Sequence, residues 1–117
     1  MERIYNAFWN SMAGFSYAIR TEKAVRQEFA VLLCAIPASF FVAAGVWQQV
    51  ALISVILLLM AVELLNTCVE KLCDHVTPDR HPQIKIVKDM GSSAVFCALA
   101  IAALVWVVAL AQRLGLF

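Results

Sequence analysis

From Phe29 to Val62 the chain carries no formal charge, and from Met90 to Gln112 it again carries none. A helix that crosses a bilayer needs about 20 apolar residues. The first stretch is too long for one span and long enough for two short ones, broken near Gly45-Val46-Trp47-Gln48-Gln49. The second stretch fits one span. The pattern therefore predicts transmembrane helices over about 29–47, 50–70 and 91–112. A soluble helical bundle is disfavoured, because its helices would need polar faces and these have almost none. Pro37 lies inside the first span, where a membrane helix tolerates it and a kink is the expected consequence.

Ahead of the spans the rhythm changes. Ile4, Phe8, Met12, Phe15 and Ile19 step by four, four, three and four, which lines them up on one helical face. Asn6, Asn10 and Ser16 fall off that stripe. An amphipathic helix over 2–20, lying on the membrane with its apolar face down, is the expected result. "TPDRHP" (77–82) holds two prolines and reads as a loop. The expected architecture is all-α, with a surface helix and three transmembrane helices in a single domain over 1–117.

Composition supports this reading. Of 117 residues, 63% are hydrophobic and 15% charged; about 45–50% apolar is usual for a soluble domain. A net charge of +1 gives no reason to expect a nucleic-acid partner. The apolar run begins too late, and without a cleavage site, for a secretory signal. Arg3, Arg20, Lys23 and Arg26 precede the first span, and Lys71, Arg80, Lys85 and Lys88 lie between the second and third. The positive-inside rule places the N-terminus and the 71–88 segment in the cytoplasm. Cys68, Cys73, His75 and His81 match no usual zinc spacing, and the cysteines read as small packing residues.

Three polar clusters interrupt this apolar background on the cytoplasmic side. In "VELLNTCVEKLCD" (62–74), Glu63, Asn66, Glu70 and Asp74 step by three, four and four and share one helical face. With Val50 at the outer edge of the membrane, Glu63 lies about 20 Å deeper, at 1.5 Å per residue. That is inside a hydrocarbon core about 30 Å thick, near its cytoplasmic border. Glu70 lies about 10 Å closer to the cytosol. A carboxylate within a span costs roughly 2.5–3.5 kcal/mol, which marks Glu63 as a functional residue. Asp74 is as consistent with a solvated or loop-stabilising role as with a catalytic one.

"TEKAVRQE" (21–28) is the second cluster. Its Glu22 and Arg26 have the spacing of an i,i+4 surface ion pair, and Glu28 stands at the membrane border. "KDMGSSAV" (88–95) is the third. Asp89 is placed to cap the start of the third span, and Gly91, Ser92 and Ser93 are small enough for close helix contact. Several acids and a lysine at one membrane face suit a magnesium nucleotide, since Mg²⁺ takes one or two carboxylates together with phosphate oxygens. The four glycines form no GxxxxGK loop. The residues alone leave a membrane enzyme or a small transporter open. A proton-coupled transporter would place its acid near the bilayer midplane rather than at one face.

Together, "TEKAVRQE", "VELLNTCVEKLCD" and "KDMGSSAV", in this order and spacing, resemble the small prokaryotic diacylglycerol kinases, which include an undecaprenol kinase branch. The resemblance covers essentially the whole chain. It implies a homotrimer in the bacterial inner membrane with sites between subunits, transferring the ATP γ-phosphate to a lipid hydroxyl with Mg²⁺. Carried over, Glu63 matches the general base, and Glu22 and Glu70 the metal-binding acids. Asn66, Lys88 and Asp89 match nucleotide-binding positions, and Glu28 and Ser92 polar positions around the lipid. Arg3 and Ser11 align with nucleotide contacts, whereas Asn10 stands where some members have Tyr. "KDMGSSAV" resembles the diacylglycerol branch and "HPQIKIVKD" (81–89) the undecaprenol branch; diacylglycerol is the favoured lipid.

Overall fold

A computed structural model describes residues 1–117 as four helices: α1 (Glu2–Thr21), α2 (Lys23–Val42), α3 (Val46–Val76) and α4 (Pro82–Arg113). Three of them, α2, α3 and α4, are long and apolar enough to cross a membrane. At 1.5 Å per residue, α3 and α4 run for about 46 and 48 Å. They therefore outreach a hydrocarbon core of about 30 Å by some 15 Å. Hydropathy marks only the lipid-embedded part of these helices, so the predicted spans 50–70 and 91–112 fall short of the observed helices.

The connections are short. α1 and α2 are separated by the single extended residue Glu22. Residues 43–45 separate α2 from α3, so the first span ends at Val42 rather than near 47. There the Ala44 amide donates to Gln48 Oε1 (2.6 Å), tying the turn to the first turn of α3. Residues 77–81 separate α3 from α4, and His81 caps α4 by accepting the Gln83 amide at Nδ1, with Pro82 in the first helical position. Asp89 thus sits two turns inside α4 and caps nothing, contrary to the sequence expectation, because the helix already begins at Pro82.

α3 packs chiefly against α4 and α2, and α1 against α2. α2 and α4 give mainly small side chains to the contact layer, and α3 gives Leu52, Ile56, Leu59 and Met60. α4 buries only Ala98, Ala102 and Ala109, and α2 buries Val25, Ala35 and Ser39. Ala35, Ile56 and Ala102 form the central cluster, flanked by Leu32, Val55 and Trp106. Small residues let backbones approach where lipid removes most of the hydrophobic drive for helices to associate. Other large apolar side chains point outward, among them Phe40, Phe41, Phe96 and Leu104. α2 continues through Pro37, and the buried Ser39 hydroxyl donates to the Ile36 carbonyl (2.6 Å).

Candidate active site

Glu22 is the joint between α1 and α2. Its amide ends α1 on the Ala18 carbonyl (2.8 Å), and its carbonyl accepts the Arg26 amide (3.1 Å) to begin α2. The break leaves carbonyls at the end of α1 without helical donors. The Arg26 guanidinium takes two of them, Ile19 (3.2 Å) and Arg20 (3.1 Å). Arg26 therefore does not pair with Glu22 as their spacing suggested. Glu22 Oε1 instead meets Lys71 Nζ of α3 at 2.9 Å. An i,i+4 pair needs both residues in one helix, and Glu22 is where the helix is interrupted.

α3 carries the longest polar face, with Glu63 half-buried and Asn66 buried. Asn66 Nδ2 donates to Glu70 Oε1 (2.9 Å), while its Oδ1 is buried with no partner. A β-carbon added at Gly91 of α4 would collide with that Oδ1. Gly91 is therefore the notch into which Asn66 fits, and the notch aims the amide that holds Glu70.

From α4, Lys88 Nζ donates to Asp74 Oδ1 at 2.7 Å, and Lys85 donates to Asp89 Oδ2 at 2.6 Å. Asp74 holds the Lys88 ammonium above the ordinary lysine range, chiefly through this hydrogen bond. Lys88 also feels the charge of Glu70. Its ammonium has three donors, so two remain beyond Asp74. The Ser93 hydroxyl returns to the Asp89 carbonyl (3.0 Å), and Ser92 is exposed.

Glu63 lies within electrostatic reach of Glu22, Glu28 and Glu70. Glu28 Oε2 is buried and unpaired. Among these carboxylates, only Glu22 forms an ion pair. The arrangement gathers these carboxylates with a single ion-paired cation among them. No three His, Cys, Asp or Glu side chains converge to hold a metal unaided. The donor set therefore fits a metal that arrives with phosphate oxygens, not one caged by protein alone.

The residues assigned on α1 stand apart. Ser11 donates to its own helix at the Ala7 carbonyl (2.9 Å). At 1.5 Å per residue, Ser11 and Arg3 lie about 16 and 28 Å along the helix from the Glu22 joint. Neither makes a hydrogen bond or ion pair with the cluster residues. Sequence reasoning missed Lys71, read only as a topological charge, and left open Asp74, which the structure pairs with Lys88. The i,i+3 spacing of Asp74 and Lys71 within α3 gave no hint that each reaches a different helix.

Residues 9–110 match the family model described as prokaryotic diacylglycerol kinase. The chain is 41% identical over 106 residues to a diacylglycerol kinase of Pseudomonas aeruginosa, covering 91% of this chain and 86% of that one. It is 36% identical over 106 residues to a diacylglycerol kinase of Haemophilus influenzae, covering 91% and 90%. Identity to a diacylglycerol kinase of Escherichia coli is 34% over 113 residues, covering 97% and 93%.

Proposed function

Because the chain belongs to the prokaryotic diacylglycerol kinase family, we propose that it transfers the γ-phosphate of ATP to the free hydroxyl of diacylglycerol, yielding phosphatidic acid. The observation that carries this reading is the half-buried Glu63 on α3, within electrostatic reach of Glu22, Glu28 and Glu70. Glu63 takes the proton of the lipid hydroxyl as its oxygen attacks the γ-phosphorus and the bond to the β-phosphate oxygen breaks. ADP leaves with the electron pair. Glu28 and Ser92 orient the lipid head. Catalysis is otherwise positional and electrostatic, as in phosphoryl transfer generally.

Glu22 and Glu70 would hold Mg²⁺ brought in with ATP, which supplies charge neutralisation for the phosphates. Asn66 aims Glu70 through its side-chain amide. Lys88 offers its two remaining donors to the nucleotide phosphates, and Asp89 contributes on the nucleotide side. Arg3 and Ser11 bind nucleotide from α1. Their distance from the joint favours sites shared between copies of the chain, in keeping with a homotrimer. Three slender helices cannot enclose a polar site alone. The apolar stripe of α1, with Ile4, Phe8 and Met12 exposed, suits a helix lying on the cytoplasmic face of the bacterial inner membrane.

The relatives' names favour diacylglycerol over undecaprenol. The test is a mixed-micelle assay with Mg-ATP that offers the two lipids separately. Phosphatidic acid as the dominant product is expected. Faster phosphorylation of undecaprenol would reassign the lipid. No lipid phosphorylation at all, together with proton-coupled flux in vesicles, would overturn the kinase reading.

A further inference from the structure

Lys71 is the only lysine or arginine of α3. Its ammonium lies 2.9 Å from Glu22 Oε1 and 5.4 Å from the centre of the Tyr17 ring. Glu22 is the extended residue at the joint, and Tyr17 stands on the last turns of α1. One cation from α3 thus grips the joint residue and the last turns of α1, at a joint that contains neither glycine nor proline. No other cation pairs with Glu22, since Arg26 is engaged by the α1 carbonyls and the remaining ion pairs are Lys85–Asp89 and Lys88–Asp74. The Lys71 and Glu22 side chains keep 49% and 30% of their exposure, so this contact can be exchanged rather than being locked in the core.

We infer that Lys71 is a positioning residue: an internal counter-cation that holds Glu22 and the α1–α2 joint against α3 and competes with the incoming metal for the Glu22 carboxylate. The inference rests on the reading of Glu22 as a metal-binding acid. A carboxylate oxygen engaged by an ammonium must weaken that contact before it serves a metal. Lys71 therefore raises the metal concentration the site requires and keeps the joint closed until the metal arrives. Tyr17 supports the ammonium from the ring face.

The test uses the full chain in detergent micelles, with Mn²⁺ and a non-hydrolysable ATP analogue as probes. Lys71→Met keeps an apolar stem over Tyr17 and removes the charge, while Lys71→Arg keeps the charge. Bound Mn²⁺ is measured by electron paramagnetic resonance. Lys71→Met is expected to bind Mn²⁺ about two- to fivefold more tightly than wild type, the scale of a partly exposed ion pair, with Lys71→Arg close to wild type. In metal-free buffer, trypsin is expected to cut beside the joint, after Arg20 or Lys23, faster in Lys71→Met than in wild type. Equal Mn²⁺ affinity in wild type and Lys71→Met overturns the competition, and equal cleavage overturns the tether. Failure of wild type itself to bind Mn²⁺ with the analogue overturns the metal reading of Glu22, and this inference with it.

Discussion

The two ends of the α3–α4 pair treat polar side chains in opposite ways. At the end away from the acids, the side chains that bond between elements take neutral or backbone partners. Gln48 Nε2 donates to Gln112 Oε1 (2.8 Å), Arg113 Nε to the Phe41 carbonyl (2.8 Å), and Trp106 Nε1 to the Leu52 carbonyl (3.1 Å). At the acidic end, Glu28 Oε2 and Asn66 Oδ1 are buried without partners, and carboxylates outnumber the cations that reach them. Leaving a buried polar atom unpaired costs about 1–3 kcal/mol. One end is finished as structure. The other retains unmet hydrogen-bonding capacity and charge of the kind a ligand satisfies.

The largest expected consequence falls on Glu63. Glu63→Gln keeps the shape and removes the base, so lipid phosphorylation should fall by about 10²–10⁴-fold, the usual contribution of a general base. Expression, folding and the helical circular-dichroism signal should persist, and removing one of four mutually repelling carboxylates should leave stability the same or higher. A Glu63→Gln protein with near-normal turnover in the mixed-micelle assay would remove Glu63 from the chemistry and erase the contrast between the two ends.

Much of this arrangement was legible in the chain. Uncharged runs of membrane length mark the spans, and the three- and four-residue stepping of Glu63, Asn66, Glu70 and Asp74 places them on one face whatever the helix packs against. Two details were not legible. The helix break at Glu22 carries no proline or glycine, so local chemistry pointed to an i,i+4 pair with Arg26, whereas the interrupted backbone sends Glu22 to Lys71 and Arg26 to the α1 carbonyls. The start of α4 at Pro82 was hidden because hydropathy reports lipid contact, and the first two turns of α4 are interrupted by Gln83, Lys85, Lys88 and Asp89.

A glycine contrast probes the next level. Gly91 faces Asn66, and a β-carbon there has no room, whereas one at Gly14 of α1 would meet nothing within 4 Å. Gly91→Ala should destabilise the fold by about 1–3 kcal/mol, as overpacking does. It should also displace the Asn66 amide from Glu70; a misplacement of about 1 Å can cost up to 10²-fold in rate. Gly14→Ala should go the other way, stabilising by about 0.5–1 kcal/mol through helix propensity. Unfolding in mixed detergent and the kinase assay on both variants give the comparison. An active, stable Gly91→Ala protein would show that the Asn66 notch does not set the geometry of Glu70.

The smallest expected effect on turnover lies at the closed end and concerns Trp106. Its indole N–H donates to the Leu52 carbonyl across the α3–α4 contact. Trp106→Phe removes the donor while keeping an aromatic ring in place. The Leu52 carbonyl lies in the interior of α3, where its own helix supplies a donor, so the substitution orphans no acceptor. The loss should therefore stay near the net worth of one hydrogen bond, about 0.5–1.5 kcal/mol in unfolding. Membrane interiors do not raise that value much, because alternative partners within the unfolded segment also exist. Lipid phosphorylation should be unchanged within about twofold, since the rigid helices carry no charge from Leu52 to Glu63 and a distant, independent site contributes only its own local term. A large fall in turnover at unchanged stability would show that the closed end tunes the chemistry of the open one, and the division between structure and site would have to be redrawn around α4 as a whole.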